Sequence, residues 1–344
     1  MYTEVFIKDL SELGRKIASY SKGELKIDLL DKAIRHSYRD NTLFTKGMQL
    51  VALTSVASRF LDESALSVWL GEYSTEIYEK EFEVMIVMAG NIPAVGFHDL
   101  LTVLASGRIA VVKLSGSDKY LIPALCEILF EINDYWRGRI HFRERPDDFP
   151  AMLIATGGDE SAAYFRGRYP GVPSLIRGAK CSVAVLKGDE DELMLDSLAQ
   201  DLFLYFGLGC RNVSTLLIPY NYDIVALASH LSKFSNLVKS DYYHDAYRYQ
   251  KAISTVSGEW FMDVGFFIFR QNSTLPPPMS VVGIVKYKDE KEIESFLVTN
   301  RSSLQCVVNF CFGGRYLACG STQFPTLTDY ADEVNSLEFI LKNS

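Results

Sequence analysis

Along the first eighty positions apolar residues recur every three or four places, as Leu10, Leu13 and Ile17 and then Leu29 and Ala33 with His36. This spacing predicts a helical N-terminal segment. One or two further amphipathic helices fall between Gln49 and Leu70, where Leu53, Val56, Phe60, Leu66 and Trp69 repeat with the same period. From Phe82 the period vanishes. Val84-Met85-Ile86-Val87-Met88-Ala89 is a continuous apolar run, the pattern of a strand buried on both faces. Similar runs over residues 109–114, 151–155 and 182–186 predict further strands, with helix-like stretches over 97–106 and 121–135 and after residue 158. Strand and helix alternating in this rhythm predict an α/β fold with a parallel sheet and helices on its faces. Downstream, the pattern predicts a helix over 193–207, a buried strand leading to Pro219, helical structure over 222–256 and a strand over 281–287.

In parallel sheets ligands sit at the carboxyl ends of the strands. Three polar, glycine-bearing turns fall there: Gly90-Asn91-Ile92-Pro93-Ala94-Val95-Gly96, Ser115-Gly116-Ser117-Asp118 just after Lys113, and Thr156-Gly157-Gly158-Asp159-Glu160. None is the G-x-G-x-x-G dinucleotide fingerprint. Together they imply a nucleotide-sized site. Asp189 to Glu192 reads as a solvated helix start, since carboxylates suit a helix N-terminus.

The stretch Phe206-Gly207-Leu208-Gly209-Cys210-Arg211-Asn212-Val213-Ser214 sets a cysteine between Gly-x-Gly and a polar run. Such glycines let the backbone approach another group closely. A thiol there could attack a carbonyl beside a backbone N–H, as covalent catalysis with an oxyanion site requires. The alternative for Cys210 is a small buried hydrophobe. In the run Tyr242-Tyr243-His244-Asp245-Ala246-Tyr247-Arg248-Tyr249, His244 could serve acid–base chemistry, with aromatic packing as the plainer reading.

Length and composition narrow the picture. At 344 residues the chain exceeds what one core usually serves, so two domains are expected. A formal net charge of −8 disfavours nucleic acid or an anionic membrane as the main partner. No apolar run has the length of a membrane span, and the first residues lack a signal-peptide pattern. The six cysteines have neither disulfide-like nor zinc-like spacing, and the five histidines lie far apart, so a metal site is not expected and a reduced, cytoplasmic setting is.

The order of motifs resembles the aldehyde dehydrogenase superfamily, and within it the long-chain acyl-CoA reductases of the bacterial luminescence type. Gly90-Asn91-Ile92-Pro93 is similar to the superfamily's oxyanion loop, Val112-Lys113-Leu114-Ser115 to its adenosine-ribose Lys-x-Ser, Thr156-Gly157-Gly158 to its nicotinamide-side turn, and Phe206-Gly207-Leu208-Gly209-Cys210 to its nucleophile segment. The ending Gln323-Phe324-Pro325-x-Leu327-x-Asp329-Tyr330-Ala331-Asp332 is similar to the tail of the reductase branch. The resemblance implies Cys210 and Asn91 as catalytic residues and Gly90, Lys113, Ser115, Thr156, Gly157 and Gly158 as cofactor-binding ones. It implies a helical segment (1–80) packed on a Rossmann-like NAD(P)-binding domain (81–180), an α/β catalytic domain (181–315) and a segment (316–344) returning to the cofactor domain. The implied activity is reduction of a fatty acyl thioester, from acyl-CoA or an acyl carrier, with an acyl-protein synthetase and a homo-oligomer as implied partners.

The departures refine this. Ile176, within Leu175-Ile176-Arg177-Gly178-Ala179-Lys180, stands where hydrolytic relatives carry a glutamate base, which points away from acid formation. Gly116 stands where an acidic residue often holds the ribose hydroxyls, which favours NADPH, with NADH as the alternative. Leu275-Pro276-Pro277-Pro278-Met279 replaces the segment that orients the nicotinamide ribose. Two rival readings follow, an NAD(P)-dependent aldehyde dehydrogenase and a degenerate, non-catalytic subunit of an acyl-processing complex.

Overall fold

The helical periodicity of the N-terminal segment is realised, in a computed structural model that describes residues 2–73, 76–271 and 274–344, as α1 (Tyr2–Ser21), α2 (Asp28–Asp40), α3 (Lys46–Ser55) and α4 (Glu63–Gly71). The buried stripe of α1 is Phe6, Leu10, Leu13, Ile17 and Tyr20. Asp9 is buried beside them, and its carboxylate accepts from Asn133 Nδ2 at 2.7 Å and Trp136 Nε1 at 3.0 Å. Of the one or two helices expected between Gln49 and Leu70 there are two, divided by a π-turn at Val56–Phe60, and the second starts at Asp62, whose side chain caps α4 through the Ala65 N–H.

The chain falls into two units, Met1–Gly178 with Pro325–Ser344, and Ala179–Phe324. In the first, β1 (Glu83–Val87), α5 (Phe97–Ala105), β2 (Ile109–Lys113), α6 (Leu121–Ile132), β3 (Ile140–Phe142), β4 (Leu153–Thr156), α7 (Asp159–Arg168) and β5 (Ser174–Arg177) follow in turn. The strands pair in parallel in the order β3-β2-β1-β4-β5. Sequence order reverses at β1, so the crevice beyond the carboxyl ends of β1 and β4 is a topological switch point. The register sets Val87 beside Lys113 and also beside Ala155. The turns after β1, β2 and β4 therefore lie at the same edge of the sheet.

The second unit contains β6 (Cys181–Val185), α8 (Glu192–Phe203), β7 (Val213–Pro219), α9 (Ile224–Leu231), α10 (Asp241–Ser257), β8 (Phe261–Asp263), β9 (Ile268–Gln271), β10 (Val281–Tyr287), α11 (Glu290–Thr299) and β11 (Leu304–Val308). Its sheet runs β11-β6-β7-β10-β9-β8, parallel except where β8 meets β9. The helical structure expected over 222–256 takes the form of two helices, separated by 3-10 turns and by the extended residues Lys239 and Ser240. Asp191 caps α8 through the Met194 N–H at 2.8 Å, while Glu190 turns back to accept from the Gly188 N–H and the Tyr222 hydroxyl. The last helix, α12 (Ser336–Asn343), belongs to the first unit, where Leu337 and Ile340 join the core containing Phe6, Leu10 and Leu104. Among the described residues, no helix is long and apolar enough to cross a membrane.

Candidate active site

Cys210 lies in the second unit, half-buried in a turn between α8 and β7. The Asn212 N–H donates to the Gly209 carbonyl at 3.0 Å and closes that turn. The Asn212 side chain, 1% exposed, accepts from the Gly209 N–H at 2.9 Å and donates to the Asp201 and Leu204 carbonyls, each at 2.9 Å. Ser182 Oγ donates to the Cys210 carbonyl at 3.0 Å. The backbone on both sides of the thiol is thus held by buried side chains.

The approach to this turn is strained. Tyr205, Phe206 and Gly207 have φ of 55°, 59° and 71°, a left-handed run in which only the glycine is free of steric penalty. A left-handed residue with a Cβ costs about 1–2 kcal/mol, and here two bulky ones follow each other. Burial of both rings, at 5% and 3% exposure, holds them in place. The helix expected over 193–207 therefore stops at Phe203. Cys210 precedes the strand β7 and not a helix. Arg211 remains beside it, with Nε donating to the Thr322 carbonyl at 2.6 Å.

Thr322 also bonds Asp201, which is wholly buried. The carboxylate accepts from the Thr322 hydroxyl at 2.6 Å, the Thr322 N–H at 3.2 Å and the Gly320 N–H at 2.6 Å. Burial raises the Asp201 carboxyl, while these donors and the Arg211 charge pull it back down. The neighbouring Cys319 thiol is pushed up to about 12 by burial and by the charges of Asp201 and Glu190, and burial raises Cys181 as well. Both are poor nucleophiles at neutral pH. His244 is exposed on α10, where Tyr243 and Tyr247 make the buried contacts.

In the first unit the turns after β1 and β2 interlock. Gly90 is buried so closely that a Cβ there would lie 2.4 Å from Ser115 Cβ and Oγ. At the other end of the loop, a Cβ on Gly96 would lie 2.6 Å from the Met88 side chain. Between them Asn91 is exposed, and Ala94 takes a left-handed φ of 56° while its N–H donates to Asp118 Oδ2 at 2.7 Å. Asp118 is 3% exposed, and burial pushes its carboxyl up to about 6 against the Ala94 and Leu121 amides. Lys113 and Ser115 are half-buried, and Gly116 is exposed with open space where a Cβ would be.

After β4, Gly158 caps α7 and has open space around its Cα, whereas Thr156 is drawn inward. Arg177, at the end of β5, places Nη1 2.7 and 2.8 Å from the two carboxylate oxygens of Asp99 and 3.3 Å from Thr156 Oγ1. Arg177 and Asp99 are both buried, and the Gly157 N–H donates to the Arg177 carbonyl at 3.2 Å. Ile176, one residue earlier, packs on the apolar cluster of Met85, Val87, Val111, Leu153, Ala155, Phe165 and Tyr169. Asp118, the Arg177–Asp99 pair and the Asp201–Thr322 link are not apparent from the sequence reading. The one local signal is that Asp99 and Asp201 sit directly beside apolar runs, where an unpaired charge would be costly, whereas Asp118, between Ser117 and Lys119, carries none.

No family profile matches the sequence, and no characterised protein matches it significantly in sequence. Solved structures do match in fold. Aldehyde dehydrogenase 21 from Physcomitrella patens, in complex with the reaction product succinate, superposes with a TM-score of 0.60 at 14% identity, over 84% of this chain and 70% of that one. Betaine aldehyde dehydrogenase from Staphylococcus aureus, in complex with NAD+, gives 0.61 at 13%, over 89% and 74%. An NAD-dependent benzaldehyde dehydrogenase from Corynebacterium glutamicum gives 0.60 at 11%, over 86% and 73%. The fold is aldehyde dehydrogenase-like.

Proposed function

We propose that this chain reduces fatty acyl thioesters to aldehydes through an acyl-enzyme on Cys210. The observation that carries the reading is the Cys210 turn. A strained left-handed run and a buried set of hydrogen bonds hold one half-buried thiol, while Cys181 and Cys319 are kept protonated. In the reaction the Cys210 sulfur forms a bond to the thioester carbonyl carbon. The carbon–sulfur bond to CoA breaks, and CoA leaves as its thiolate. The Cys210 N–H donates to the oxyanion that develops.

Gly90, Lys113, Ser115, Thr156, Gly157 and Gly158 are the residues to hold a dinucleotide. Their fit rests on the switch-point topology, the glycine-bearing turns at one sheet edge and the open backbone at Gly158. NADPH, when bound, supplies the hydride that turns the acyl group into an aldehyde. Lys113 and Ser115 favour a 2′-phosphate, and Gly116 sets no carboxylate against it.

A second reading, NAD(P)-dependent oxidation of an aldehyde to an acid, is favoured by the aldehyde dehydrogenases among the structural neighbours. It needs a base to activate water, and Ile176 offers an apolar side chain packed on an apolar cluster. Intact mass after incubation with acyl-CoAs from acetyl to palmitoyl, followed by peptide mapping, tests the proposal. The expected result is one acyl group on Cys210, cleared by NADPH with release of aldehyde. Acyl label on Cys311 or Cys319, or none at all, would overturn it. Release of acid as fast as acylation would transfer support to the second reading.

A further inference from the structure

At the carboxyl ends of β2 and β3 two cations are set side by side. The strands pair in register, with Val111 beside His141 and Val112 beside Phe142. The ladder runs one bond further, since the Arg143 N–H donates to the Val112 carbonyl at 2.8 Å. Arg143 therefore follows next to Lys113, at the spacing of adjacent strands, about 4.8 Å. Alternation along the strands gives both residues the face on which Val111 joins the cluster of Phe165 and Tyr169.

Like charges directly opposite each other on neighbouring strands are destabilising. Here nothing in the protein offsets them: among the described residues, neither Lys113 nor Arg143 is in an ion pair. The Arg143 side chain makes one polar contact, with the Phe142 carbonyl at 3.5 Å. The nearby acids are engaged elsewhere, Asp148 by Arg168 at 2.5 Å and Asp118 by the Ala94 and Leu121 amides. Ser115 adds a half-buried hydroxyl two residues after Lys113, and Gly116 is exposed with open space where a Cβ would be. Two uncompensated cations beside a hydroxyl and an open glycine suit a phosphate monoester, to which Arg offers a planar fork and Lys a point charge. In doubly wound sheets an Arg near the adenosine ribose accommodates a 2′-phosphate.

We infer that Arg143, acting with Lys113, binds the 2′-phosphate of the cofactor and sets the preference for NADPH. This rests on the dinucleotide site proposed above. It adds a residue from the loop after β3, where Phe142-Arg143-Glu144-Arg145 carries no motif.

The test is titration calorimetry on the full-length protein, with three probes that need no catalysis: adenosine 2′,5′-bisphosphate, its 3′,5′ isomer and adenosine 5′-monophosphate. The 2′,5′-bisphosphate should bind at least about tenfold more tightly than the monophosphate. Arg143→Gln should weaken the 2′,5′-bisphosphate by about tenfold and the monophosphate by less than about twofold. Arg143→Lys keeps the charge and should lose less. Arg145→Gln removes a cation from the same loop and should change either affinity by less than about twofold, as screening by salt predicts for a charge that does not touch the ligand. Arg143 is exposed, so its variants should keep the urea midpoint of the wild type.

Equal losses of bisphosphate and monophosphate in Arg143→Gln would overturn the inference, because Arg143 would then hold some other part of the nucleotide. An equal effect of Arg145→Gln would overturn it as well, since net charge would be the cause. So would a 3′,5′ isomer bound as tightly as the 2′,5′ one, which would make this a site for the adenosine end of CoA. If the wild type binds none of the three, the dinucleotide site is removed and this inference with it. If it binds the monophosphate without preferring the 2′,5′-bisphosphate, the dinucleotide site stands and only the role of Arg143 falls. Acylation of Cys210 is measured without cofactor, so the acyl-enzyme reading is decided separately.

Discussion

Replacing Asp118 by asparagine should stabilise the protein at neutral pH and leave it unimproved in acid. Burial raises this carboxyl from its ordinary 3.8 to about 6 in the folded state. Between those values the folded chain keeps a proton that the unfolded chain has released, so stability falls as pH rises through the window. Below it both states are protonated and the difference vanishes. Above it the loss is complete, and at about 1.4 kcal/mol for each tenfold change in acidity it comes to about 3 kcal/mol. Asparagine keeps an oxygen to accept the Ala94 N–H but carries no charge to desolvate.

Trp69 and Trp136 are both buried in the first unit, and Trp260 belongs to the second. In a Trp260→Phe background, tryptophan fluorescence in urea therefore reports the first unit alone. The advantage of Asp118→Asn over Asp118 should be small at pH 4.5, grow up to pH 6 and level off by pH 7.5. An advantage that is flat across this range would refute the reasoning, because it would mean that the carboxyl titrates where an exposed one does. A deficit that is flat across it would mean that asparagine does not replace the acceptor.

Other expectations follow from the same surroundings. Arg177→Met leaves the Asp99 carboxylate buried beside an apolar side chain and should lower the stability of the first unit by about 3–5 kcal/mol, whereas the double change Arg177→Met/Asp99→Leu should recover most of it; urea midpoints of the two variants decide this. Gly116→Glu meets open space and an ordinary backbone, so the fold should be unaffected. NADPH binding should weaken by tenfold or more through repulsion of the 2′-phosphate, with NADH much less affected, on the order of the energy of one close like-charge pair; titration with both cofactors measures it. The decanoyl-enzyme should survive long enough to isolate, because general-base catalysis typically contributes about 10²–10⁴-fold to hydrolysis and Ile176 supplies none. Chromatography of released decanoic acid against time checks it.

The parts of this architecture that could be read in advance are those where one strand carries its own signal. Val84 to Val87, Ala110 to Val112 and Cys181 to Val185 are buried without interruption, so each is an apolar run that needs no partner to be recognised. Ser174–Arg177 gives no such signal, since it is four residues at a sheet edge with a polar residue at either end. Phe261–Asp263 is shorter still. Near Cys210 the glycines were visible, but the groups that hold the turn were not. Ser182 is 28 residues from Cys210 in sequence, and Asp201 is 121 from Thr322. A contact of that kind leaves no periodicity. The left-handed turn at Tyr205 and Phe206 was hidden for a different reason: both side chains suit a helix or a core, and nothing in their identity announces a reversal of hand.

The first unit is interrupted by the second, and this bears on the order in which the chain can become folded during synthesis. Residues 179–324 are all available before Pro325 is made. The helices of the N-terminal segment, although made first, share a core with Leu327, Leu337 and Ile340. A growing chain can therefore finish the unit that carries Cys210 while the unit that carries Asn91 still has an open flank. For as long as residues 325–344 are missing, the part synthesised earliest is the part that waits.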